Sequence, residues 1–448
     1  MHAPRLFRSI GLALALWAAA PALAHAEDLM QTWQDALAAD PTYASARAQY
    51  RAGVERLPQA RADILPLVTA EIGALYSDTR STTSLRRYDS GGRMAWDLVL
   101  TQPLFDWARW QGYEQAKLVV AFYEIQLRQA RQDLVLRVAD AYFNILSAQD
   151  QLSATESEKS AVAQQLAFAK RNFELGSATI TDTHEAQARY DLVRAREILL
   201  QNTLDVQRDL LTRITGRPPG ALARLPYGVA LPAPEPSRLT DWSSQAETSG
   251  LAVILAQLQS RIAQYDIQIA RSGHYPTVNL RATSGTSGSP RPNDRVPSGR
   301  PVDSSIGVVL SIPLYAGGGI SSRVTEAVAL QDKAREDLFA AQRQAVQSSR
   351  ENFTGVVSGL LRVSALQAGE RASRSSVEAN KTAYEIGVRV NQDVLNAQQQ
   401  LFETQRDLAQ ARYGTLMSGL RLKAISGTLT EEDLDAINRL LRLAPNDR

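Results

Sequence analysis

No cysteine occurs anywhere in the 448 residues. That excludes thiolate metal sites, Cys nucleophiles and a lipid-anchored N-terminus, and it suits an oxidising export compartment where stray thiols would pair. Histidine is nearly as scarce, and only His184 and His274 lie beyond the first 26 residues. There is no "HExxH" or "GxSxG" pattern, and "AGGG" at Ala316 to Gly319 lacks the spacing of a dinucleotide loop. The expectation is a protein that is not an enzyme, with no cofactor and no metal.

A surplus of charge is missing too. Arg5 and Arg8 precede an apolar run from Ile10 to Ala20 and the small-residue pattern Ala24-His25-Ala26, which together read as a cleavable secretory signal, residues 1–26. Removing it takes Lys plus Arg from 49 to 47, against 47 Asp plus Glu. A neutral chain has no global field to draw polyanions, so a nucleic-acid role is set aside. Past the signal no run of about 18 apolar residues occurs, so no helix is expected to span a membrane. The chain is either soluble or crosses as strands.

What the sequence does have is an internal repeat. Pro66 and Pro276 lie 210 apart, as do Pro103 in "LTQPLF" and Pro313 in "LSIPLY". The offset then becomes 211, matching Gly176 in "FELG" with Gly387 in "YEIG", Asp182 with Asp393, and Gly216 with Gly427. Between the paired prolines each copy carries two alternating segments. Val68, Ala70, Ile72, Ala74 and Tyr76 share a face opposite Thr69, Glu71 and Gly73, and Trp96, Leu98 and Leu100 alternate with Asp97, Val99 and Thr101. In the second copy Val278, Leu280 and Ala282 oppose Asn279, Arg281 and Thr283, and Ile306, Val308, Leu310 and Ile312 oppose Ser305, Gly307 and Ser311. Strands of about ten residues with one apolar face suit a tilted bilayer crossing. A water-soluble sandwich would alternate too, although four strands are few for its core. The turn-rich links between paired strands are expected in water outside the cell.

Between the strand pairs the pattern turns helical. From Leu104 to about Leu175 there is no proline, and Leu127, Ala130, Leu134, Val138, Ala141, Ile145, Ala148 and Leu152 step by three or four, a coiled-coil-like seam. At 1.5 Å per residue such a helix is about 100 Å long. Shorter helices are expected over Pro41 to Ile64, about Ile180 to Thr215, Leu251 to Ser272 and Asn391 to Ile425, beside a second long one over Leu314 to Ile386. The organisation read from this is N-terminal helices in 27–64, a strand pair in 65–103, a long-helix hairpin in 104–216 and a Pro-rich linker in 217–250. A helix in 251–275, a second strand pair in 276–313, a second hairpin in 314–426 and a C-terminal segment in 427–448 complete it. The linker and C-terminal segment are expected to form a belt around the middle. Phe105, Trp107 and Trp110 fit either an interfacial aromatic belt or ordinary helix packing.

Four strands cannot close a membrane barrel, so several chains would have to share one. At this point the order of signal, helix, hairpin, long helix, tip glycine and helix, repeated once, with "PLFD", "ITD" and "PLYAGG", resembles the TolC-like outer-membrane efflux family along nearly the whole mature chain. The resemblance implies a mixed α and β membrane protein: a homotrimer whose four strands per chain make one transmembrane β-barrel, continued by a periplasmic α-helical coiled-coil barrel. It implies outer-membrane lipid around the barrel, and docking of a periplasmic adaptor and an inner-membrane pump of RND, ABC or MFS type. The duct would pass small molecules or polypeptides; a dedicated protein-secretion duct and a soluble periplasmic coiled-coil scaffold are the alternatives.

The resemblance also assigns residues. The hairpin tips at Gly176 and Gly387, which read as C-cap glycines, would meet the adaptor. Tyr384 linked to Asp182, and Arg389 to Thr181, would hold the entrance shut. Asp393 would form a ring of carboxylates at the constriction, backed by the neutral amide of Asn396 where relatives carry a second acid. Asp182 also reads as a helix N-cap in "DTHE", with Glu185 completing a capping box, and the two roles can coexist.

Overall fold

The computed structural model describes residues 27–80, 88–286 and 302–441. The signal segment, the centres of both strand-linking loops and the last seven residues lie outside the described residues. The chain begins with α1 (Leu29–Ala39), α2 (Pro41–Val54) and α3 (Arg56–Ala62), then β1 (Leu67–Arg80) and β2 (Tyr88–Phe105). The first long hairpin is α4 (Trp107–Glu174) and α5 (Ile180–Thr215), followed by α6 (Leu239–Ser249) and α7 (Leu251–Ser272). Then come β3 (Thr277–Thr286), β4 (Val302–Ser311), α8 (Gly319–Glu385), α9 (Asn391–Ile425) and α10 (Glu431–Asn438).

The helix expected over Pro41 to Ile64 is divided at Glu55. Pro58 explains it: proline has no N–H and its ring crowds the carbonyl four residues back, at Val54, where α2 ends. The strand pairs also depart from expectation. β1 and β2 run 14 and 18 residues, because Ser77 to Arg80 pair with Tyr88 to Gly91 where a loop was expected. Backbone hydrogen bonds do not depend on alternating side chains, so pairing can continue into a polar stretch that shows no strand pattern. β2 also continues through Pro103, with a bulge between Pro103 and Phe105 that leaves Leu104 unpaired, as a residue without an N–H requires.

The four strands form one antiparallel sheet in chain order, and among the described residues nothing pairs β1 with β4. Register aligns the two faces across all strands: Ala70 faces Leu98, Leu98 faces Ser284, and Leu280 and Ala282 face Val308 and Ile306. The apolar side is bare, with Ile72 79%, Ile306 76% and Val308 62% exposed. A sandwich core would bury those side chains, so the soluble reading is not met. Trp107 and Trp110, just below the strands, are exposed as well, not packed into the helices. No helix among the described residues is long and apolar enough to cross a membrane.

α4 and α8, 68 and 67 residues, are about 100 Å long. α7 packs between them toward the sheet and α9 packs between them toward the tips, so α5 and α8 stand at the two ends of the row, and among the described residues no further long helix packs beyond either. The main core lies at mid-length. There Leu134, Val138, Ile145 and Ala148 of the seam meet Leu211 of α5, Leu222 and Leu225 of the linker, Leu420 of α9, and Leu434 of α10. α1 belongs to this belt too: Trp33 is buried and its Nε1 donates to Glu431 at 2.9 Å. Tyr142 Oη donates to the backbone oxygens of Glu27 and Ala223, which fastens the first described residues to the linker.

Candidate functional site at the hairpin tips

The ends of the two hairpins repeat one hydrogen-bond pattern 211 residues apart. The amides of Gly176 and Ser177 donate to Phe173 and Asn172 oxygens, and those of Gly387 and Val388 donate to Tyr384 and Ala383. Gly176 and Gly387 have φ of 73° and 80°. A Cβ at either would meet nothing within 4 Å, so the left-handed backbone, not crowding, calls for glycine. Around them Leu175, Ile386, Val388 and Val390 are exposed, an apolar end on a mostly polar helical stalk.

Helix α5 starts at Ile180, as expected, but is capped differently. Its N-cap is Thr179, whose Oγ1 accepts from the Asp182 N–H at 3.2 Å while Asp182 Oδ2 accepts from the Thr179 N–H at 2.9 Å. Asp182 is therefore the acid inside a capping box, not the cap, and Glu185 is not its partner. Thr179 sat three residues upstream in the required spacing and was the readable signal. In the second copy Asp393 accepts from the Val390 N–H at 3.5 Å, but valine has no side-chain oxygen, and the Asp393 N–H donates instead to the Val390 backbone oxygen at 3.1 Å.

The residues expected to latch the entrance have other partners within one chain. Asp182 is held by Thr179, Arg389 lies 3.5 Å from Asp393, and the Tyr384 ring packs edge-on to Phe168 with centroids 5.8 Å apart. Among the described residues of a single chain, Tyr384 does not bond Asp182 and Arg389 does not bond Thr181, which is exposed. Asn396 accepts from Arg189 at 3.4 Å.

Sequence reasoning missed what joins the two hairpins. Asn391 accepts from Gln165 Nε2 at 2.5 Å and donates to the Asp182 backbone oxygen at 3.3 Å. Further along, Glu158 of α4, 1% exposed, accepts from Arg406 Nη1 of α9 at 2.6 Å, with Arg196 of α5 at 3.7 Å. A near counterpart on α8 is Glu370, which accepts from Tyr227, Gln405 and Arg374. Burial would raise its pKa, but those donors outweigh it and leave the carboxyl below its usual value. Gln165, Asn391 and Glu158 look like ordinary polar surface residues in sequence, because their burial depends on partners more than 200 positions away.

The family model described as "Outer membrane efflux protein" matches residues 32–217 and 242–428, two stretches that begin 210 and end 211 positions apart, the offsets of the internal repeat. Outer membrane protein TolC of Escherichia coli (strain K12) is 32% identical over 440 residues, covering 96% of this chain and 88% of that protein. The proteases secretion protein PrtF of Dickeya chrysanthemi is 28% identical over 94% of this chain and 93% of its own. The crystal structure of the outer membrane protein VceC from Vibrio cholerae superposes with a TM-score of 0.77, at 18% identity, over 89% of this chain and 96% of that one. With one model matching both copies and a relative at this identity along nearly its whole length, the chain belongs to the outer membrane efflux protein family.

Proposed function

We propose that this protein is a passive outer-membrane duct, serving efflux and type I secretion, that carries solutes from an inner-membrane pump to the exterior. One observation carries the reading: a four-stranded sheet with a bare apolar face and two open edges stands on helices about 100 Å long. Open strand edges are not tolerated in lipid, so the sheet closes only with copies of itself. Three copies would give the twelve-stranded barrel that the family resemblance implies, with Phe105, Trp107 and Trp110 at its inner lipid boundary. The positions of α5 and α8 at the two ends of the row support side-by-side association of the helical parts, with α5 of one copy beside α8 of the next.

The partners are a periplasmic adaptor, received by the exposed apolar tips at Gly176 and Gly387, and an inner-membrane pump. PrtF is named for protease secretion, and that favours polypeptides among the cargo beside small molecules. In the assembled ring, Tyr384 with Asp182 and Arg389 with Thr181 join neighbouring copies and hold the entrance narrow. Asp393 lines the constriction, its charge partly offset by Arg389 and backed by Asn396. Deleting the gene is expected to raise drug sensitivity and to lower secreted protein. Loss of only one of these would restrict the duct to one cargo class, and loss of neither would contradict the reading.

A further inference from the structure

Near the tips the two hairpins share an apolar contact, Leu395 of α9 against Val162, Leu166, Ala169 and Ala186, and below it a buried polar one. Asn391, the first residue of α9, is 1% exposed, although Val388 and Val390 just before it are 72% and 59% exposed. Its side-chain oxygen accepts from Gln165 on α4, and its side-chain nitrogen donates to the Asp182 carbonyl in the first turn of α5. Gln165 is buried as well. One amide therefore ties α9 to both helices of the other hairpin. A buried amide is costly unless each end is paired, so this placement favours the single arrangement of the tips that pairs both.

The repeat shows that the amide is not needed to build a tip. The position 211 residues earlier is Ile180, which opens α5 in the same way and is 46% exposed. The polar residue stands only in the copy whose helix start rests on the other hairpin. Fifteen residues further along α9, about 22 Å at 1.5 Å per residue, Arg406 is held by buried Glu158. Neutral hydrogen bonds open at less cost than a buried ion pair loses its partner. The segment of α9 between Asn391 and Arg406 is thus bounded by a neutral polar contact at the tip and an ionic one above it, with Leu395 packed against α4 and α5 between them.

We propose that Asn391 is a positioning residue of the entrance: the clasp formed with Gln165 and the Asp182 carbonyl holds the tip of α9 at rest, and the entrance widens by releasing it about the Glu158–Arg406 pivot. This rests on the reading of the chain as a duct with its entrance at the tips, and adds a contact within the chain to the links between copies.

The test is single-channel conductance of the full chain, purified from outer membranes and inserted in planar bilayers. Asn391→Leu, with the same branched heavy-atom skeleton but without the amide, is expected to raise mean conductance at least twofold. Gln165→Leu is expected to do the same, and the double variant to go no further than either single one, because the clasp is one device. Exchanging the two amides, Gln165→Asn with Asn391→Gln, is expected to restore the parent conductance. The temperature at which the detergent-extracted oligomer dissociates is expected to stay unchanged, whereas a merely structural role would lower it. Parent-like conductance in Asn391→Leu, additive single effects, or failure of both single variants to assemble would overturn the proposal. A parent chain that conducts nothing would overturn the duct reading, and the clasp with it.

Discussion

Thr179 and Val390 hold the same place in the two copies, and only the threonine can close a capping box. Thr179→Val should weaken the first turn of α5 by about 1 kcal/mol, seen as faster amide exchange at Asp182. Val390→Thr should slow exchange at Asp393; unchanged rates in both would remove the capping account. Arg389 beside Asp393 makes a second prediction at this scale. Arg389→Ala leaves the carboxylate without its cation and should increase the cation preference of the pore, whereas Asp393→Asn should reduce it. Equal selectivity in parent and both variants would exclude Asp393 from the constriction. Among single residues, the tip glycines were legible because the backbone itself demands them. Asp182 was misread because Thr179 with Asp182 and Asp182 with Glu185 both have the spacing of a capping box, and the start of α5 at Ile180 selects the first. Asn391 could not be seen, since nothing local marks a helix-start amide as buried.

Among elements, the junction of α4 with α9 is fastened by the buried pair of Glu158 and Arg406. Glu158→Leu alone strands the guanidinium and should destabilise by about 3–5 kcal/mol, while adding Arg406→Met should return most of that loss. Denaturant unfolding of the two variants measures it, and equal stability of the single and double variants would contradict a buried, coupled pair. The strands were readable as elements because a period of two is unmistakable, and the register then placed one apolar face across all four. Their true length was not, because backbone pairing leaves no hydrophobic trace in Ser77 to Arg80. The break at Glu55 was readable from Pro58. The place of α1 in the belt was not, because burial of Trp33 is decided by contacts with Glu431, some four hundred residues away.

The whole molecule is held at mid-length by a belt rich in carboxylates. Burial would raise the Asp40 pKa, but the Arg137 guanidinium and the Tyr43 N–H outweigh it and hold the carboxyl below its usual value. Arg131 chiefly lowers Glu431, against a smaller opposing effect of burial. A carboxyl depressed by folding contributes stability that is complete above its unfolded pKa, about 4, and is lost as pH falls through its lower folded value. Asp133 and Asp150, pushed up by burial, act in the opposite sense. Arg131→Met should therefore make the loss of thermal stability below about pH 4 shallower, and an unchanged slope would remove Glu431 from that balance. The largest step, from one open sheet to the closed barrel proposed, would be a property of several chains, and only family membership suggests their number. Its most direct test is the mass of the native complex extracted by detergent from isolated outer membranes. The account predicts three mature chains; a single chain recovered in the periplasmic wash would contradict it.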